Sequence, residues 1–499
     1  MAKPAAAAVD VDIDVSRLSW PQLALFAYTL QCAGSYGIEQ AVGAAGAFGV
    51  IAGLVALGLL WALPQALITA ELSSAFPKSG SSLYWVQAGL GERLAFVNAV
   101  CLSTGMVIDA AIWPGLLTSY ASALLPALAD PATAFAAQFA CVLIVCGANV
   151  AGVRVLVLAS VLTLCATVTP FLIFAPAAAA LGQPFDFTAA AAAPAFVPGG
   201  GGAVVFLTTI LWSFQGLANI GSLAAEVREP KRAFPRAMLL LVALIVLSYS
   251  VPCFLGVALQ PDLTQWQEGY FSTLLANIAP WLGVYITVGS SVAMLSAGLT
   301  STAVYARFIA AAAAEGYLPL PLLGMQRVTR FRTPVPAIVL LCCTTLALAN
   351  VSFAGLLAFD TMLNVVSTFL VVASYLRLRL TRPDLPRPFE VDFGAGTRGA
   401  LAAWCFALPS LAIAAASLAI VAATGGAVAV GVAAALCAAA YAVAVAREWS
   451  GGCWGRWAQR GGAEEESAGQ SSEAFELAEG LLPPPAGGGG SGSGRGQSE

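Results

Sequence analysis

Histidine is missing from all 499 residues. That excludes His-ligated metal, a His-dependent catalytic triad and an imidazole proton relay, and leaves carboxyl groups as the proton-active side chains of any buried site. Charge is scarce as well. Charged residues make up 10 % of the chain against 59 % hydrophobic ones, a balance that fits no soluble globular class and predicts a polytopic membrane protein. The eleven cysteines form no CxxC pair, and all but Cys453 lie in apolar runs, where they read as small core residues. The first eighteen residues carry Asp10, Asp12 and Asp14 and lack the basic start, apolar run and cleavage site of a signal peptide. Insertion is therefore expected to begin with the first span. The lipid bilayer is the expected surrounding, and neither nucleic acid nor a resident cofactor or metal is expected.

What the chain does have is long apolar stretches. Twelve are long enough for the hydrocarbon core: Trp20–Gly46, Phe48–Leu72, Leu94–Leu125, Pro131–Asn149, Val155–Leu181, Ala203–Leu223, Arg236–Leu259, Phe271–Ala313, Val335–Val351, Phe353–Tyr375, Leu401–Ala423 and Val428–Val445. Basic residues alternate between the gaps. One set holds Lys78, Arg93, Arg154, Arg228, Lys231, Arg232, Arg327, Arg330, Arg332 and the run from Arg377 to Arg398; the other holds Asp130, Asp186, Asp262 and Glu268 and no basic residue. By the positive-inside rule both termini are expected in the cytosol. The expected organisation is a cytosolic segment over 1–18, a twelve-span membrane domain over 19–449 and a disordered cytosolic tail over 450–499. The tail is rich in Gly, Ser, Pro and Glu and has too few apolar residues to bury a core.

Two spans are interrupted. The first reads Gly34-Ser35-Tyr36-Gly37 at mid-membrane, followed by Glu39, and the sixth is polar and glycine-broken from Trp212 to Gly221, through Gln215 and Asn219. Broken helices at membrane depth are tolerated only where protein or a watery cavity surrounds them. Matching breaks five spans apart, in halves of opposite orientation, point to an inverted-repeat transporter with its site between the repeats. A closely packed glycine helix would explain either break alone.

Ionisable groups inside the spans are few, and each costs about 2.5–3.5 kcal/mol at a helix centre on insertion scales. Glu39 and Asp109 suit a cationic substrate or a titrating proton, with a structural acid as the competing reading. Glu71, Glu226 and Arg307 sit near the expected cytosolic face and suit a gate or charge network. Tyr36, Trp113 and Trp212 suit an aromatic wall. Sodium, held by Thr163, Thr167 and Thr169 with backbone carbonyls, is the weaker coupling ion because no carboxylate lies close in sequence.

The stretches GSYGIEQAVGAAG (34–46), ALPQALITAELSSAFPKSGSSLYWV (62–86), MVIDAAIWPGLL (106–117), LAAEVREPKRAFPRA (223–237), AEGYLP (314–319) and RLTRPDLPRPFEV (379–391) resemble the amino acid-polyamine-organocation superfamily, most of all the plant and protist polyamine uptake transporters. The resemblance implies an all-α fold of five plus five inverted-repeat helices with two extra spans. It also implies proton-coupled uptake of polyamines, with solute at the broken first and sixth helices and acids at Glu39 and Asp109. Three places depart from the family pattern. Glu39-Gln40 replaces Glu-Asp, Gly216-Leu217-Ala218 replaces Tyr-Trp-Asp, and Ser301 and Tyr305 stand where acids are expected.

The resulting expectation is a proton-coupled symporter for polyamines or related cationic organic amines, in the plasma membrane. Gly34, Ser35, Tyr36, Gly37, Glu39, Asp109, Trp212, Gln215 and Asn219 would bind the substrate, and Glu39 and Asp109 would exchange the proton. The lost acids keep a neutral or cationic amino acid transporter or exchanger open, since backbone N–H groups at Gly34, Ser35 and Gly37 suit a carboxylate. A non-transporting solute sensor is the second alternative. An enzyme is disfavoured by the missing histidine and by the lack of a nucleophile constellation.

Overall fold

The computed structural model describes residues 18–449 apart from 33, 193–200, 319–323, 325–332, 395 and 424–426. The expected tail over 450–499, residues 1–17 and the basic cluster Arg327, Arg330 and Arg332 lie outside the described residues. Every regular element among those described is helical. Hydrocarbon offers no water to backbone N–H and C=O groups, so an apolar chain must pair them within each segment.

In chain order the helices are α1 (Trp20–Gln31), α2 (Glu39–Leu57), α3 (Leu63–Ala75), α4 (Ser82–Leu90), α5 (Glu92–Ala110), α6 (Ile112–Ala121), α7 (Pro131–Ala151), α8 (Val153–Ala180), α9 (Phe187–Ala191) and α10 (Gly201–Trp212). They continue with α11 (Pro230–Leu259), α12 (Tyr270–Ile278), α13 (Pro280–Ala314), α14 (Val335–Leu348), α15 (Phe353–Thr381), α16 (Gly396–Ala423) and α17 (Ala427–Trp449). Ten helical stretches are long and apolar enough to cross a membrane. One of them, Glu39–Ala75, is two segments joined at Gly46, whose φ of 64° kinks the run where the sequence separates the first span from the second. With α1 and the shorter apolar α14, the arrangement is consistent with twelve crossings.

Two differences from the expected spans are local. The third span bends at Ala111, between α5 and α6, and the eighth is preceded by the separate short helix α12. Asp130, Asp186 and Asp262, in the gaps that lack basic residues, cap the N-termini that follow them by accepting backbone N–H groups of Thr133, Ala189 and Thr264 at 2.9, 2.9 and 3.1 Å. Hydrogen bonds from Thr133, Thr188 and Thr264 hold these carboxyls below the usual carboxylate range.

The core forms around α1, α5, α6, α8, α13 and α15. The long α13 packs on α8, α6 and α12, while α15 lies along α5 and α4. Lipid-facing character rises outward. Of the most apolar window, 72 % is buried in Glu92–Ala121 but only 28 % and 22 % in Arg398–Ala423 and Val428–Ala446, so the last two helices are peripheral.

Candidate functional site

The first break is built by glycine. After Gln31 the chain leaves the helix, passes Gly34 at φ 113° and Gly37 at φ 82°, left-handed conformations that L side chains rarely adopt, and resumes helix at Glu39. The second break follows Trp212. It turns at Gly216, φ 78°, and continues as a ten-residue 3-10 helix over Leu217–Glu226. Runs of 3-10 helix that long are uncommon and mark strained or hinge segments. The two breaks face each other, since a Cβ placed on Gly37 would meet the Trp212 ring at 3.2 Å.

Between the breaks and α5, α6, α13 and α15 lies a cavity of about 60 Å³. At about 10–15 Å³ per water centre this holds a few waters or a small solute. Asp109, midway along the third span, lines it. Its Oδ1 accepts the Trp212 indole N–H at 3.1 Å and its Oδ2 accepts the Tyr305 hydroxyl at 2.6 Å. Tyr305 occupies a position where the resemblance led us to expect an acid, and it donates to the acid of α5 instead. Trp113 forms another wall and packs so closely on α13 that a Cβ at Gly298 would lie 2.5 Å from its ring.

Asp360 of α15 lines the same cavity and is buried. Its Oδ1 accepts the Asn364 amide at 2.6 Å, and its backbone carbonyl accepts Nε2 of Gln215 at 3.2 Å. The sequence reading passed over this residue. The signal was available, as an acid with an asparagine four residues on inside an apolar run meets the same criterion that singled out Asp109. Among the described residues no lysine or arginine lines the cavity.

Of the residues expected to bind substrate, Tyr36, Asp109, Trp212, Gln215 and Asn219 line the cavity; Gly34, Ser35, Gly37 and Glu39 do not. Ser35 gives its hydroxyl to the carbonyl of Ser248. Glu39 is fully buried, and its side chain is turned to α6, where Oε1 accepts the Tyr120 hydroxyl at 2.7 Å. The Tyr120 oxygen in turn accepts the Gly37 N–H at 2.9 Å, so Glu39 and Tyr120 pin the α2 arm of the break. Over this pair lies the loop before α12. Burial there pushes the Glu268 carboxyl up, against a lowering hydrogen bond from Ser119.

The expected charge network is two networks. Arg307 holds Glu226 through Nε–Oε1 at 2.5 Å and Nη2–Oε2 at 3.3 Å, joining the end of the sixth span to α13. Beside it the segment just before α1 is tied in, because the Leu18 N–H donates to the Glu226 carbonyl at 2.8 Å and the Arg228 N–H to the Leu18 carbonyl at 2.8 Å. Glu71 pairs elsewhere, with Arg379 at 2.5 Å and Arg387 at 3.2 Å, and accepts the Val391 N–H at 3.1 Å. The fourteen-residue gap after α15 folds back to supply Arg387 and Val391, which spacing alone does not reveal.

Discontinuous helices meeting around a buried, acid-lined cavity, with ion pairs at one end of the bundle, define a solute transporter of the membrane rather than an enzyme. A sequence model of the amino acid permease family matches residues 18–446, and the chain belongs to that family. It is 29 % identical over 421 residues to polyamine transporter PUT1 of Oryza sativa subsp. japonica, covering 80 % of this chain and 74 % of that one. It is 26 % identical over 363 residues to polyamine transporter RMV1 of Arabidopsis thaliana, covering 72 % and 73 %. A more distant relative is the vacuolar cationic amino acid transporter 2 of Arabidopsis thaliana, 27 % identical over 344 residues, covering 64 % and 53 %.

Proposed function

We propose that the protein is a proton-coupled symporter that carries a cationic organic amine into the cytosol across the plasma membrane. The observation that carries this reading is a half-buried carboxyl, Asp109, offered to a cavity that no basic side chain lines among the described residues. A carboxylate at membrane depth is stable only with a cation, a proton or strong donors, and Asp109 has neutral donors. An ammonium group completes it, and a proton replaces the ammonium when cargo leaves. In this reading Trp212, at the edge of the second break, reports occupancy of Asp109 to the 3-10 segment and so to Glu226.

The relatives named as polyamine transporters support the same substrate class. A second cavity of about 20 Å³ shares Gly216, Asn219 and Asn364 with the first and continues along α15 through Ser367 to Val372, toward Arg379. In our reading it is the inner route, with Glu71–Arg379–Arg387 and Glu226–Arg307 as the ties that open. The amino acid alternative is weakened at the first break, where the N–H of Gly37 is already given to Tyr120. Uptake of labelled putrescine in transport-deficient yeast, at acidic and neutral external pH with spermidine, arginine and leucine as competitors, tests the proposal. Acid-stimulated uptake blocked by spermidine is expected. Transport of an amino acid with no putrescine uptake would replace it with the amino acid reading.

A further inference from the structure

Asp109 and Asp360 enter the cavity from different helices and are held differently. Both oxygens of Asp109 accept neutral donors, whereas Asp360 uses Oδ1 alone and its Oδ2 is buried with no hydrogen-bond partner among the described residues. A buried carboxylate oxygen left without a donor is strongly unfavourable, and such a group persists where something else completes it. Asp360 is also fixed in place. Its backbone carbonyl takes the Gln215 amide from the second break, while Asn364 grips both that carbonyl, at 3.1 Å, and Oδ1.

The spacing of the two acids can be read along α5. A Cβ on Gly105 would lie 3.4 Å from Oδ1 of Asp360, and Gly105 precedes Asp109 by four residues. Four residues of helix rise about 6 Å. The α5 position that Asp360 abuts and the one that bears Asp109 thus stand about one turn apart, a spacing that leaves room between the two acids for a short alkyl diamine.

We propose that Asp360 is the specificity-determining residue of the cavity, binding the second ammonium of a dicationic cargo whose first ammonium sits on Asp109. This rests on the reading of the cavity as an amine site. The acids missing from the first, sixth and eighth spans are then compensated from the tenth, and a monoamine would leave Oδ2 of Asp360 unpaired. Discrimination by an unmatched buried charge is steep, because the site itself is left unsatisfied.

The test compares uptake of labelled 1,4-diaminobutane and butylamine by the wild type, Asp360→Asn and Asp360→Glu, with surface protein quantified. The wild type is expected to prefer the diamine. Asp360→Asn is expected to lower diamine uptake about ten- to a hundredfold more than butylamine uptake, the range set by one lost charged hydrogen bond. Asp360→Glu, which keeps the charge, is expected to retain the preference, so the two variants separate lost charge from lost fold. If Asp360→Asn lowers both amines equally, or changes only the acid stimulation, the assignment of Asp360 is overturned while the amine reading stands. If the wild type takes up neither amine, both fall.

Discussion

Two sets of acids held between helices divide this molecule. In the cavity, Asp109 and Asp360 are met by an indole, a phenol and an amide; at the end of the bundle expected in the cytosol, Glu71 and Glu226 are met by arginines. Each set has one fully buried member, Asp360 and Glu71 at 1 % exposure, and one half-buried member, Asp109 and Glu226, so depth does not separate them. Partnering does. An acid already neutralised by a guanidinium ties helices together, and an acid left with neutral donors has charge to offer a ligand.

The largest effect that tests this contrast is expected at Asp109. Asp109→Asn keeps the shape and the contact with Trp212 but removes the charge, and uptake should fall at least about a hundredfold at normal surface level, the upper range for a lost charged hydrogen bond. Near-normal uptake would put Asp109 with the structural acids. Glu71→Gln should act through stability instead. It leaves Arg387 without an acid and Arg379 with only the half-exposed Glu390, and should cost about 3–5 kcal/mol, seen as a lower melting temperature of the purified protein, with partial recovery on adding Arg387→Gln. A stable variant with altered substrate choice would break the division.

The first of these residues was legible in sequence and the partners of the second were not. Glycines mark both breaks because only they accept the left-handed conformations at 34, 37 and 216, and an isolated acid such as Asp109 announces itself by its cost in lipid. Which neighbour an acid meets is a long-range matter. Arg379 is 308 residues from Glu71 and Tyr120 is 81 from Glu39. For that reason Glu39 was expected in the cavity although its side chain serves α6, and Asp360, on a helix that only tertiary packing lays against α5, went unremarked. The positions of the apolar stretches were more legible than their shape. Hydropathy counts crossings, whereas the kink at Gly46 and the separate α12 depend on single backbone turns.

Two smaller predictions sharpen the comparison. Trp212→Phe keeps the aromatic wall against Phe353 but deletes the N–H that Asp109 accepts. Apparent substrate affinity should weaken about tenfold, and an unchanged competition curve would remove Trp212 from the coupling between cavity and hinge. Val428→Ala, on the lipid-facing side of α17 at 71 % exposure, should change melting temperature and uptake negligibly, within about 0.5 kcal/mol. A large loss there would show that the peripheral helices do more than face lipid.

The most direct measurement is concentrative uptake of labelled putrescine into liposomes holding the purified protein, under an imposed proton gradient acidic outside. The account predicts accumulation above the external concentration that a protonophore collapses and that Asp109→Asn lacks. Binding without accumulation, or accumulation indifferent to the proton gradient and to Asp109, would contradict it.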